Sequence, residues 1–310
     1  MRKRTLHPST PLVSGLIAAL AFMAGAAAFE FGRSTAEAET RAVDFPAESI
    51  AMVAPSVEAP IAVVEEVQPD LRPVVALVID DAGIDPQLTR RTMALNVPLT
   101  LSFLPYAEAT PDLARAAAAN GHAVFLHMPM EPFGLEDPGP GALTRYLPPD
   151  EMARRVNAAL ERVPGAIGLN NHMGSAFTAE AAAMRAALTP LAGRDLIFLD
   201  SLTSGRSRAG RIADELGLIS YRRDIFIDHD ADAVTASLDA LVAAAHRNGQ
   251  AIAIGHPRTG TLEALESWLQ GEAAQSVRFV TMSEYAEAIR ESAELAERSD
   301  EAVGLFGGAE

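Results

Sequence analysis

There is no cysteine in the 310 residues. That excludes thiolate nucleophiles, disulfides and sulfur-ligated zinc, so any metal has to sit on histidine, aspartate or glutamate. Positive charge is also scarce. The chain sets 25 Lys and Arg against 41 Asp and Glu, a formal net charge of −16, and phosphate recognition rests on the basic patches such a composition lacks. No nucleic-acid partner is expected. A nucleotide loop is missing too, because the first apolar run after the N-terminal region ends in VIDDAGID, with acids where a pyrophosphate needs backbone amides at a helix N-terminus. No G-x-S-x-G elbow occurs, so a serine hydrolase would have no visible nucleophile.

What is present starts with an export signal. Arg2, Lys3 and Arg4 precede the apolar run LVSGLIAALAFMAGAAAF from Leu12 to Phe29, the charge-then-hydrophobe order of such a signal. The run is about long enough to cross a membrane. Residues 1–32 are therefore expected to anchor the chain in the cytoplasmic membrane, basic end inside and the remainder facing the periplasm. Cleavage after the small residues Ala26-Ala27-Ala28 is the alternative, and would leave a periplasmic protein. Residues 33–72 carry scattered acids and prolines at 46, 55, 60 and 69, a flexible linker by composition. The globular part is expected over 73–291, with a frayed tail over 292–310.

Short apolar runs at 74–81, 97–104, 122–128, 166–171, 196–200, 219–227, 251–256 and 277–282 alternate with Ala-rich helical segments. Near-continuous apolar strands separated by helices predict a parallel sheet covered by helices. Seven or eight such units close most naturally into an α/β barrel, with an open doubly wound sheet as the alternative. In that architecture the carboxyl ends of all strands open on one face. The residues there are Asp80 and Asp81, His127, Asn170, Asn171 and His172, Asp200, and His256. Paired carboxylates with converging imidazoles suit a divalent cation, zinc being the first choice. One carboxylate can ligate, and the other can stay free to take a proton from metal-bound water.

VIDDAG at 78–83, LHMPMEP at 126–132, GLNNHMGS at 168–175, FLDS at 198–201 and AIGHP at 253–257 together resemble the divergent polysaccharide deacetylases, a distant branch of the deacetylases with a nodulation-protein-type barrel. The resemblance implies an incomplete or distorted α/β barrel of β/α units and metal-dependent removal of acetyl groups from an N-acetylated glycan of the cell envelope. It also implies Asp80 as catalytic base, Asp81 and His127 as metal ligands, and His256 as the acid that protonates the leaving amine. Two departures stand out. The second histidine of the family's H-x-x-x-H-P motif falls at Glu131, and the arginine-containing motif is replaced by Asn170-Asn171-His172, leaving His172 or Glu131 as the third ligand. Asn170, Asn171, Asp200 and Arg258 are assigned to substrate binding, Asp224 to orienting His256, and Asp228 to capping a helix. The alternative reading is a catalytically weak or inactive module on the same barrel that binds envelope glycan or an envelope protein partner.

Overall fold

Six consecutive apolar residues of the first strand, Val74 to Ile79, are buried, five of them completely. A strand of this kind needs cover on both faces, and the alternation of its side chains shows how that is met. Val75, Leu77 and Ile79 pack outward against the helices. Val74, Ala76 and Val78 point inward, with Phe125, Ile197, Leu199, Ile252 and Ile254 from other strands. The sheet therefore curls around an inner core and carries an outer one.

The structure, a computed structural model, describes residues 70–306. The strands are β1 (Val74–Ala82), β2 (Thr100–Phe103), β3 (Ala123–Met130), β4 (Gly168–Met173), β5 (Ile197–Asp200), β6 (Ile219–Arg222), β7 (Ile225–Phe226), β8 (Gln250–Gly255) and β9 (Arg278–Val280). They are joined mostly through helices, and their order across the sheet is β6-β5-β4-β3-β2-β1-β8-β7, all parallel. This is the parallel barrel expected from the alternation of apolar runs and helical segments, left incomplete as the family resemblance implies. β9 pairs with only the first three residues of β1, Val74 to Ala76. It and the start of the helix Met282–Phe306 accordingly fill the N-terminal end of the interior with Val280, Met282 and Tyr285.

Two boundaries differ from expectation. The apolar run 219–227 is two strands on opposite edges of the sheet, β6 beside β5 and β7 beside β8. Arg223 and Asp224 step between them, the first hydrogen-bonded through its amide to the Asp200 carbonyl (3.1 Å) and the second to that of Ile252 (2.9 Å). A continuous apolar run cannot reveal where a chain changes neighbours. The segment from Ser292, expected as a tail, continues the last helix to Phe306. The expected anchor and linker, residues 1–32 and most of 33–72, lie outside the described residues. Among the described residues, no helix is long and apolar enough to cross a membrane.

Gly168 opens β4 on the inner face. A Cβ there would lie 2.5 Å from the Ile197 carbonyl oxygen and 2.5 Å from the Phe125 ring. One is backbone and the other a fully buried aromatic, so neither yields cheaply. Gly168→Ala is expected to destabilise the domain by about 2 kcal/mol, the usual cost of overpacking a full core, read as a lower urea midpoint at unchanged slope.

Candidate metal centre

The alternation that sorts the core also sorts the polar residues. Continuing the inward set of each strand toward its carboxyl end gives Asp80 on β1, Ser102 on β2, His127 on β3, Asn170 and His172 on β4, Ser201 after β5 and His256 after β8. Most of these meet in a cleft of about 500 Å³ at that end of the barrel.

Asp81 should point the other way, and a bulge corrects it. Ile79 pairs with Leu101 and Ala82 with Phe103, so two residues of β1 oppose the single Ser102. Asp81 occupies the extra position with φ +55°, the left-handed conformation such bulges use. The turn behind it is held by the Gly83 amide, at φ +99°, donating to Thr89 Oγ1 at 3.1 Å. Both carboxylates consequently reach one imidazole: Asp80 Oδ2 lies 3.5 Å and Asp81 Oδ1 3.4 Å from His127 Nε2. Met173 and Leu202 are the other non-glycine residues with positive φ among those described, and both line the same cleft. Backbone strain is thus concentrated at this site, where the surrounding fold sustains it.

His172 Nδ1 completes a triangle, 3.0 Å from Asp81 Oδ1 and 3.2 Å from His127 Nε2. Bonds of about 2.0–2.1 Å at tetrahedral angles would set donors about 3.3–3.4 Å apart. The three atoms fit one face of such a site. Asp81 Oδ1 is a buried oxygen without a hydrogen-bond donor, which a cation would satisfy. Second contacts preset the ligands as metal sites require. His127 Nδ1 donates to Asn170 Oδ1 at 2.8 Å, a register neighbour on β4, which leaves Nε2 as the nitrogen available to a cation. Asn170 also accepts from Ser102, and its amide donates to Asp80 Oδ1 at 2.7 Å and Ser201 Oγ at 3.1 Å.

Burial pushes Asp80 above the ordinary carboxylate range, although the His127 and His256 charges and the Asn170 hydrogen bond pull the other way. Burial acts likewise on Asp81, but there the facing His127 and His172 imidazoles win and hold it well below that range. The two adjacent carboxylates are thereby differentiated. Desolvation would lower His256, yet the Asp228 hydrogen bond together with the charges of Asp80, Asp228 and Asp81 raises the imidazole above its usual value.

Several residues fall elsewhere than expected. Glu131 is engaged by Arg145, through the backbone amide at 2.8 Å and the guanidinium at 2.9 Å. It stands apart from the Asp81, His127 and His172 cluster, which makes His172 the third donor. Asp200 has the outward parity of Phe198 and accepts from the Leu202 amide (2.9 Å) and Ser207 hydroxyl (2.6 Å), building a loop instead of facing the cleft. Asn170 is fully buried and positions ligands. Asn171 and Arg258 do line the cleft; Asn171 braces it by donating to the Met173 carbonyl at 2.7 Å. The partner of His256 is Asp228, 3.0 Å from Nδ1, and it also accepts from the His256 amide and from Thr261. Asp224 instead bonds the Ile252 amide at 2.8 Å. Asp228 stands just beyond β7, so the strand-end rule that picked out the other residues points to it as well. Arg223 and Phe226 were also missed; both line the cleft, the guanidinium lying 5.0 Å from the ring.

A family model described as divergent polysaccharide deacetylase matches residues 77–286. The uncharacterized protein YibQ of Escherichia coli K12 is 34% identical over 194 residues, 62% of this chain and 60% of that protein. An uncharacterized protein of Haemophilus influenzae is 37% identical over 198 residues, 63% of this chain and 70% of that protein. The match to the first thus spans about 60% of that relative's length. The crystal structure of an uncharacterized protein from Agrobacterium tumefaciens C58 superposes with a TM-score of 0.66 at 25% identity, over 70% of this chain and 91% of that one.

Two measurements test the centre. After zinc reconstitution, elemental analysis is expected to give about one metal per chain, little in Asp81→Ala or His172→Ala, and an unchanged content in Glu131→Gln; Asn170→Ala should weaken binding roughly 10- to 100-fold. In metal-free protein, Asp228→Asn removes the main group that raises His256, so the imidazole should titrate lower than in the parent by NMR.

Proposed function

The chain belongs to the divergent polysaccharide deacetylase family, and we propose on that premise that it is a metal-dependent hydrolase removing acetyl groups from an N-acetylated polysaccharide of the cell envelope. The observation that carries this reading is the donor triangle with an uncommitted carboxylate and a carboxylate-backed imidazole beside it. Asp81, His127 and His172 would hold the cation, and two nitrogens with one oxygen suit zinc. Such an ion supplies Lewis acidity, polarising a carbonyl and acidifying water.

The remaining steps belong to side chains. Asp80 keeps Oδ2 free, because Asn170 occupies Oδ1, and accepts the proton of the attacking water. Its raised pKa brings it toward neutrality, where a general base works best. His256 has Nδ1 committed to Asp228 and directs Nε2 to the cleft, 3.8 Å from Asp81 Oδ2. From Nε2 it donates a proton to the nitrogen that leaves. Asp228 does not exchange a proton here; it fixes the ring and favours its charged form. Arg223, Phe226 and Arg258 form the walls against which the sugar settles.

The binding-module alternative rests on the altered second histidine of H-x-x-x-H-P and on the missing arginine-containing motif. His172, brought beside Asp81 from the next strand, supports the hydrolase instead. The substrate class and the export signal together support action outside the cytoplasmic membrane, whether the chain is anchored or released.

The test is acetate release from N-acetylated oligosaccharides by the metal-loaded protein. Asp80→Asn should retain metal and lose about 10²- to 10⁴-fold in kcat, the span of a general base. The rate should fall toward acid as Asp80 protonates and toward alkali as His256 loses its proton. Because Asp228→Asn lowers the His256 pKa, it should move the alkaline limb to lower pH. Full metal occupancy with no acetate from any N-acetylated oligosaccharide would put the binding module first.

A further inference from the structure

A second cleft, of about 590 Å³, opens beside the metal centre and is lined by Phe133, Glu180, Arg206, Arg208 and Arg211. Both clefts are built from the same two loops. At the end of β4, Asn171 to Met173 line the first cleft, and Glu180, in the loop that follows, lines the second; after β5, Ser201 to Thr203 line the first and Arg206 and Arg208 the second. The wall between them is tied by Thr203 Oγ1 donating to the Met173 carbonyl at 2.9 Å. Arg206 lies three positions after Thr203, a Cα distance of at most about 11 Å.

Three guanidiniums in one cleft are notable in a chain carrying 16 surplus negative charges. Arg211 shares Glu215 with Arg185. Arg206 and Arg208 are exposed and have no carboxylate partner among the described residues. The single acid of the cleft, Glu180, also acts on Arg145. Positive charge therefore remains in excess. Planar guanidiniums match the oxygens of a carboxylate or phosphate with paired donors. Phe133 adds an apolar face. It is 55% exposed, its amide is pinned to Ser175 Oγ at 2.9 Å, and the Arg206 guanidinium lies 5.8 Å from its ring centroid.

We infer that this cleft is a subsite for an oxyanion, carboxylate or phosphate, borne by a sugar next to the one being deacetylated. The substrate is then an anionic N-acetylated oligosaccharide that lays an apolar sugar face on Phe133 and its charge between Arg206 and Arg208. The link to turnover rests on the deacetylase reading; the anion preference does not.

Calorimetry on the full-length, zinc-loaded protein tests it with two tetrasaccharides: a neutral N-acetylglucosamine tetramer, and the same tetramer carrying a lactyl carboxylate on alternate sugars. The carboxylated ligand should bind roughly tenfold tighter, the worth of two solvent-exposed charge contacts, with a preference that shrinks as salt rises. R206Q/R208Q should abolish the preference and leave affinity for the neutral tetramer unchanged, which also reports an intact fold. Equal affinities in the parent, or a preference that survives R206Q/R208Q, would overturn the subsite. Inorganic phosphate binding as tightly as the carboxylated tetramer would make it a free-anion site and overturn the sugar-borne assignment. Acetate release is recorded alongside. Preference without acetate from either ligand would sink the hydrolase and leave the subsite standing; acetate without preference would do the reverse.

Discussion

Consecutive residues of a β-strand face opposite sides, so two adjacent aspartates cannot both enter a barrel unless the strand breaks its period. The bulge at Asp80 and Asp81 is that break, and the rest of the centre depends on it. It brings both carboxylates to His127. Burying like charges so close together is costly, and a cation held by Asp81, His127 and His172 would compensate them. The same bulge separates their roles, since Asp81 is left half-exposed against two imidazoles while Asp80 is drawn inward to Asn170.

Around the bulge the barrel works as a sorting device. Even-numbered residues of β1 point inward and odd ones outward until Asp81, and the other strands keep one parity throughout. The inward set is apolar toward the N-terminal end, where the last helix plugs the interior. It turns polar within the last turns of strand, where helices no longer cover it. Stability and chemistry are thus stacked along the same strands. Asn170 links the halves: it is as buried as the core yet hydrogen-bonded to both His127 and Asp80.

The incomplete closure between β6 and β7 also shapes the site. A closed barrel would pair these strands, and Arg223 and Asp224 would be ordinary ladder residues. Instead they bridge two edges, and Arg223 turns its guanidinium to the Ser201 and Leu202 carbonyls and over Phe226. Just beyond, Asp228 meets His256. The opening therefore supplies both a wall of the cleft and the carboxylate that orients His256.

By itself the sequence determined the alternation of strands and helices, the parallel barrel this implies, and most of the centre. The inward polar residues follow apolar runs whose parity is legible, and an active face at the carboxyl ends is a property of any parallel barrel. Asp80, Asp81, His127, His172 and His256 could be named on those grounds. What only tertiary structure decided concerns which atoms meet across the sheet. His172 and Glu131 were equivalent in the sequence, both polar and both near a strand end, and Arg145, 14 residues beyond Glu131, removes one of them. Asp224 and Asp228 were equally interchangeable until the split of one apolar run into β6 and β7 set the first between the two edges, on the Ile252 amide, and the second beside His256. Such choices depend on pairings between residues tens of positions apart. Local pattern carries no record of them, because the free energy that selects them comes from the packed barrel and not from the segment.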